Sequence, residues 1–149
     1  GIAQSIYDMK LDIKVYGIFI GMGGNVGTQS STIIVRGLAT GRVSFENSIK
    51  VLFKEMRVGL ILGSLYGVLL GVFAIFQFID ASPLLGVVVG LSISVSMILA
   101  ATIGSLVPLV LNRFDIDPAV ATGPFVTTAI DVIGVAFYFI IAQALLVAG

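Results

Sequence analysis

Four long runs without charge set the pattern of the chain. They are Val15 to Val35, Val58 to Ile79, Ala81 to Asn112, and Pro118 to Gly149, the last interrupted once by Asp131. A helix rises about 1.5 Å per residue, so about 20 apolar residues cross roughly 30 Å of hydrocarbon. The pattern therefore predicts an all-α, polytopic transmembrane bundle of four full spans in a single domain over residues 1–149. The spans fall at about 15–41, 50–79, 83–112 and 118–147. The mixed stretch AQSIYDMKLDIK before them predicts a short N-terminal interfacial helix. Ser82-Pro83 and Asp117-Pro118 predict helix starts, because proline is favoured at the first helical position behind a polar cap. Gly41 predicts the end of the first span, and SFENSIKVLFKEMRVG an amphipathic entry into the second.

Small and polar residues break the apolar runs in an ordered way. Gly59, Gly63, Gly67 and Gly71 recur every four residues on one face of the second span, as Gly17 with Gly21 and Gly86 with Gly90 do elsewhere. Such stripes let helix backbones approach closely in lipid, so they predict packing faces. In the first span, Gly23-Gly24-Asn25-Val26-Gly27-Thr28-Gln29-Ser30-Ser31-Thr32 is too polar to face lipid. Asn25, Thr28, Gln29 and Thr32 share one side at helical spacing, which predicts a surface on a water-filled path or on protein.

Asp131 is the most informative single residue. A carboxylate near the middle of a spanning helix costs at least about 2.5 to 3.5 kcal/mol to insert, and something must offset that. Thr127 and Thr128 lie one turn before it, Gly123 and Pro124 two turns before. A proline within this helix would free a backbone carbonyl, adding to a hard oxygen surface. That set suits ion or proton handling. The plainer alternative is a structural ion pair, for which Arg36 is the nearest candidate, or a protonated Asp131 bonded to a neighbouring helix.

Composition narrows the chemistry. Hydrophobic residues make up 58% and charged residues only 11%, so a bilayer must cover most of the surface and the expected location is the cell membrane, with several passes. Eight basic against eight acidic residues leave no net charge to attract nucleic acid. The chain has no cysteine and no histidine, which removes thiol and imidazole catalysis and zinc-type ligand sets. Side-chain ion ligands must then be oxygens. Serine chemistry lacks its base and an aspartyl dyad lacks its second carboxylate unless a second copy supplies it, so the chain is not expected to be an enzyme. Arg36, Arg42, Lys50, Lys54 and Arg57 fall between the first two spans, opposed by Glu46 and Glu55, and the positive-inside rule places that connection in the cytoplasm.

GGNVGTQSSTIIVRGLATG, then FKEMRVGLILG, then DPAVATGPFVTTAIDVIG resemble, in order and spacing, the membrane domain of the MgtE family of magnesium channels. The resemblance implies a five-helix membrane domain that pairs as a homodimer, with the ion path at the dimer interface. It further implies that the family's first membrane helix and cytoplasmic regulatory domains are missing from this chain. Its pore aspartate matches Asp131, and its Gly-Gly-Asn segment matches Gly23, Gly24 and Asn25. Many members carry Asn where this chain has Gly123, and Ala where it has Thr127. The implied substrate is Mg²⁺, with other divalent cations as further candidates. Mg²⁺ keeps several waters, so it needs one or two carboxylates and many acceptors at water distance. Asp131 from each of two copies, with Asn25, Thr127 and backbone oxygens, supplies that set. Gly23, Gly24, Thr28, Gly123, Pro124 and Thr128 are expected to line the path. The competing expectation is a proton- or sodium-coupled secondary transporter with Asp131 as the coupling site.

Overall fold

The computed structural model describes residues 22–77 and 84–146. The expected interfacial helix, the Gly17 and Gly21 pair, the turn at Asp80 and the Ser82-Pro83 start lie outside them. The described residues form four helices and no strand: α1 over residues 22–39, α2 over Ser48–Gln77, α3 over Leu84–Arg113 and α4 over Pro124–Leu146. Of these, α2, α3 and α4 are long and apolar enough to cross a membrane.

The turn from α1 to α2 closes as its glycine predicts. Gly41 takes φ +70°, its amide bonds the Leu38 carbonyl at 3.1 Å, and the Val43 amide bonds the Gly37 carbonyl at 3.0 Å. A left-handed residue satisfies carbonyls that the helix end would orphan. A 3₁₀ turn at Phe45–Asn47 follows, with the Ser44 amide donating to Asn47 Oδ1 at 2.8 Å. If this turn is cytoplasmic, cysteines placed singly at exposed Ser44 and at Ala81 should react with an impermeant thiol reagent from opposite sides of the membrane. Labelling of both from outside would contradict that orientation.

The buried centre is α3, whose Val88, Val89, Ile93, Met97, Ala100 and Ala101 are nearly inaccessible. The α2 glycines lie against it. A β-carbon at Gly63 would sit 2.8 Å from the Ser94 carbonyl oxygen, and one at Gly71 would sit 2.7 Å from that of Gly86. Ser94 Oγ donates to the Gly63 carbonyl at 2.9 Å across the same contact. Backbone approach of this kind replaces the hydrophobic driving force that lipid does not supply. The opposite side of α2, including Leu60, Ile61, Leu65, Val68 and Phe76, is exposed, as a lipid-covered face must be.

The last span does not begin at Pro118. Asp117 caps only a 3₁₀ turn, Pro118–Thr122, with its Oδ1 accepting from the Ala119 amide at 2.9 Å. The chain then extends at Gly123, φ −94° and ψ −172°, and α4 starts at Pro124. The reason is local. Pro124 has no amide for the Val120 carbonyl, and it disfavours helical backbone in the residue before it, so a helix entered at Pro118 stops there. Pro124 is thus an N-terminal proline of α4, where the missing amide costs nothing, rather than an interior break.

Candidate functional site

Three helices converge where the sequence pattern places its polar residues. The backbone of Gly27 on α1 packs directly on Gly104 of α3, so close that a β-carbon at Gly104 would overlap the Gly27 carbonyl oxygen. That crossing presses α1 against α4. A β-carbon at Gly24 would lie 2.8 Å from Thr127 Cγ2 and 3.0 Å from Asp131 Oδ1. Any larger residue would require Thr127 and the Asp131 carboxylate to shift away from the α1 backbone. Gly23 and Gly27 meet Ile130, the neighbour of Asp131, which fills the inner side of the same contact. One turn further along the same side of α4, Gly134 admits Ser96 of α3, whose Oγ lies 3.2 Å from where its β-carbon would be.

The polar contacts are sparse. Thr28 Oγ1 lies 3.2 Å from Thr127 Oγ1 and donates to the Gly24 carbonyl at 2.8 Å. Thr32 Oγ1 donates to the Thr28 carbonyl at 2.8 Å. With the Thr28 proton committed to the Gly24 carbonyl, Thr127 is the donor of the Thr28–Thr127 pair and Thr28 Oγ1 its acceptor. Asp131 is half-buried, and its Oδ1 is fully buried without a hydrogen-bond partner. A buried carboxylate oxygen left unbonded is costly.

Asn25, Gln29 and Thr32 are exposed and line a shared groove with Thr28 and Ile33. This polar stripe runs along the exposed side of α1 and meets α4 where Thr28 touches Thr127. The structure brings together Gly24, Thr28, Thr127 and Asp131. It does not join Thr128 and Pro124 to them: both are exposed and line a different groove, with Ala129, Val132 and Ile133. Asn25 makes no hydrogen bond to Asp131, and Gly123 sits in the break before α4.

Arg36 is not the partner of Asp131. It lies twelve residues beyond Gly24 on α1, about 18 Å along the axis, and is exposed. Among the described residues no cluster of three or more acids offers a ready metal site.

The structure adds residues that the pattern reading passed over. Glu55, counted in the sequence as one of two acids opposing the cytoplasmic cations, is buried at 3% exposure and accepts from Ser30 Oγ at 3.0 Å. The signal was present, since Glu55 stands four residues before Gly59 and so belongs to the glycine stripe that faces inward. Ser31 Oγ donates to the Ala121 carbonyl at 2.9 Å, tying α1 to the turn before α4.

Comparison with known proteins gives a consistent picture. The family model MgtE, described as a divalent cation transporter, matches residues 16–141. The magnesium transporter MgtE of Thermus thermophilus is 40% identical over 129 residues, covering 87% of this chain and 28% of that protein. That of Bacillus subtilis is 34% identical over 124 residues, 83% of this chain and 27% of its own length. That of Enterococcus faecalis is 33% identical over 136 residues, 89% and 30% respectively. The chain thus spans less than a third of the length of these relatives.

Proposed function

Since the chain belongs to the MgtE family of divalent cation transporters, we propose that it forms the wall of a path for Mg²⁺ across a membrane, completed by a second copy of itself. The observation that carries this reading is Asp131: a carboxylate in the interior of an apolar helix, with one oxygen unbonded, beside an outward-facing polar stripe. A stripe of Asn25, Gln29 and Thr32 cannot face hydrocarbon, so another polar surface must cover it. Apposed to its own copy, the face supplies two Asp131 carboxylates to one axis, an isologous arrangement.

Mg²⁺ sheds water reluctantly, so the ion would pass hydrated. In this reading the carboxylates supply charge, and the oxygens of Thr28, Thr127 and Asn25 hold the water shell. Gly24 allows the carboxylate to lie on the α1 backbone, and the break at Gly123 ends the α4 helix on the cytoplasmic side of the site.

The dimer is tested by cross-linking. Single cysteines at Asn25 or Gln29 should join to their own counterparts in the other copy. Cross-links through the Gly59 to Gly71 face would place the axis elsewhere, and a strictly monomeric protein in lipid would remove the proposal. Transport should proceed down a Mg²⁺ gradient without a proton or sodium gradient, and strict dependence on either would favour a coupled carrier over this reading.

A further inference from the structure

The α1 helix is held from three directions. Gly27 rests on Gly104 of α3, Ser31 bonds the Ala121 carbonyl before α4, and Ser30 bonds Glu55 of α2. The first is a fulcrum of backbone on backbone, and the other two are polar ties on adjacent residues. A glycine-on-glycine crossing has no side chain to interlock, so it fixes distance well and rotation poorly. Rotation is left to side-chain contacts: these two ties, and on the α4 side Thr28 on Thr127 with Ile130 against Gly23 and Gly27.

Glu55 is the only charged residue among the buried described residues. Its hydroxyl partner, Ser30, is equally buried. A buried acceptor left without its donor is costly, so the Ser30 hydroxyl and the Glu55 side-chain oxygen hold each other in place. Ser30 projects from α1 roughly opposite the Asn25, Gln29 and Thr32 stripe, by the 100° turn per residue of an α-helix. It also lies six residues beyond Gly24, about 9 Å along the axis. Glu55 is therefore behind the wall rather than in the path.

We infer that Glu55 is a positioning residue: through Ser30 it sets the rotation of α1 about its axis, and so holds the polar stripe toward the ion path and Gly24 against Asp131. This inference rests on the reading of α1 as a wall of that path. The tie predicts that Glu55→Ala and Ser30→Ala behave alike, because each removes the same bond. Glu55→Gln keeps an acceptor for the Ser30 hydroxyl and restores the arrangement.

The test uses the absence of cysteine from this chain. Single cysteines at Gln29, on the stripe, and at Ile34, buried on the other side of α1, are reacted with an impermeant thiol reagent in the lipid-reconstituted protein. In the parent protein position 29 reacts much faster than position 34. Ser30→Ala and Glu55→Ala should each lower the ratio of the two rates about tenfold, the scale of a buried hydrogen bond lost with its partner left unpaired. Glu55→Gln should return it to the parental value. A general loss of stability raises both rates and leaves no rescue by glutamine. If Glu55→Ala does not fold, Ser30→Ala and Glu55→Gln carry the comparison. An unchanged ratio in Ser30→Ala, or a Glu55→Gln ratio as low as that of the alanine variants, overturns the inference. An unreactive Gln29→Cys in the parent protein fails the path reading instead, which separates the two failures.

Discussion

Gly104→Ala is expected to destabilise the protein by about 3 kcal/mol, the upper end of what overpacking costs, while Gly23→Ala, in the motif itself, leaves stability within about 0.5 kcal/mol. A methyl group at Gly104 would run into the carbonyl oxygen, carbonyl carbon and α-carbon of Gly27, all backbone atoms that no rotamer change can move. Relief requires α1 to withdraw from α3. A methyl group at Gly23 would meet only Ile130 Cγ2 at 3.6 Å, an ordinary contact. Thermal unfolding of the two variants in lipid or detergent checks this difference, and equal midpoints would mean that the α1 to α3 crossing is looser than the structure shows. Withdrawal of α1 also carries Gly24 away from Asp131, so Gly104→Ala protein that remains folded should transport poorly.

The second large effect falls on Asp131. Bound Mg²⁺ should stabilise the parent protein by about 2.7 kcal/mol at a concentration a hundredfold above its Kd. Asp131→Asn keeps the size of the side chain, deletes the charge and removes the cost of burying a carboxylate. It should fold and pair as before, yet lose most of that stabilisation. Asp131→Glu retains the charge one methylene further out, where Gly24 leaves little room beside the α1 backbone. Selectivity among divalent ions should fall more than affinity, because water-mediated contacts depend on where the carboxylate sits. Thr127→Ala removes one hydroxyl near Thr28 and should cost on the order of 1 kcal/mol. Unfolding temperatures measured across a Mg²⁺ series rank the variants, and a Mg²⁺ response in Asp131→Asn equal to the parent's would make this residue structural.

Much of this was legible in the sequence because periodicity and charge are strong signals in a membrane chain. Glycines four apart on α2 could only fall on one face, and that face is buried against α3. Asp131 drew attention because acids are rare in apolar helices. The start of α4 was misplaced for a physical reason: Asp117-Pro118 and Gly123-Pro124 are both plausible helix entries, and the second proline cuts the helix the first would begin. Gly27 and Gly104 were not paired because nothing in either helix's own pattern names its counterpart; the contact depends on how α1 crosses α3. Glu55 was read by its charge when its register with Gly59 was the better guide. The same error in reverse made Arg36 a candidate partner for Asp131, since opposite charge says nothing about the 18 Å or so of helix that separates their levels.

In the proposed path, Asp131 supplies the charge that admits a divalent cation to the membrane. The most direct test of that role is Mg²⁺ flux into liposomes carrying the parent protein or Asp131→Asn, normalised to folded, dimeric protein. The parent should show robust flux and Asp131→Asn should lose most of it, with no requirement for a proton or sodium gradient. Parental flux through Asp131→Asn would contradict that role.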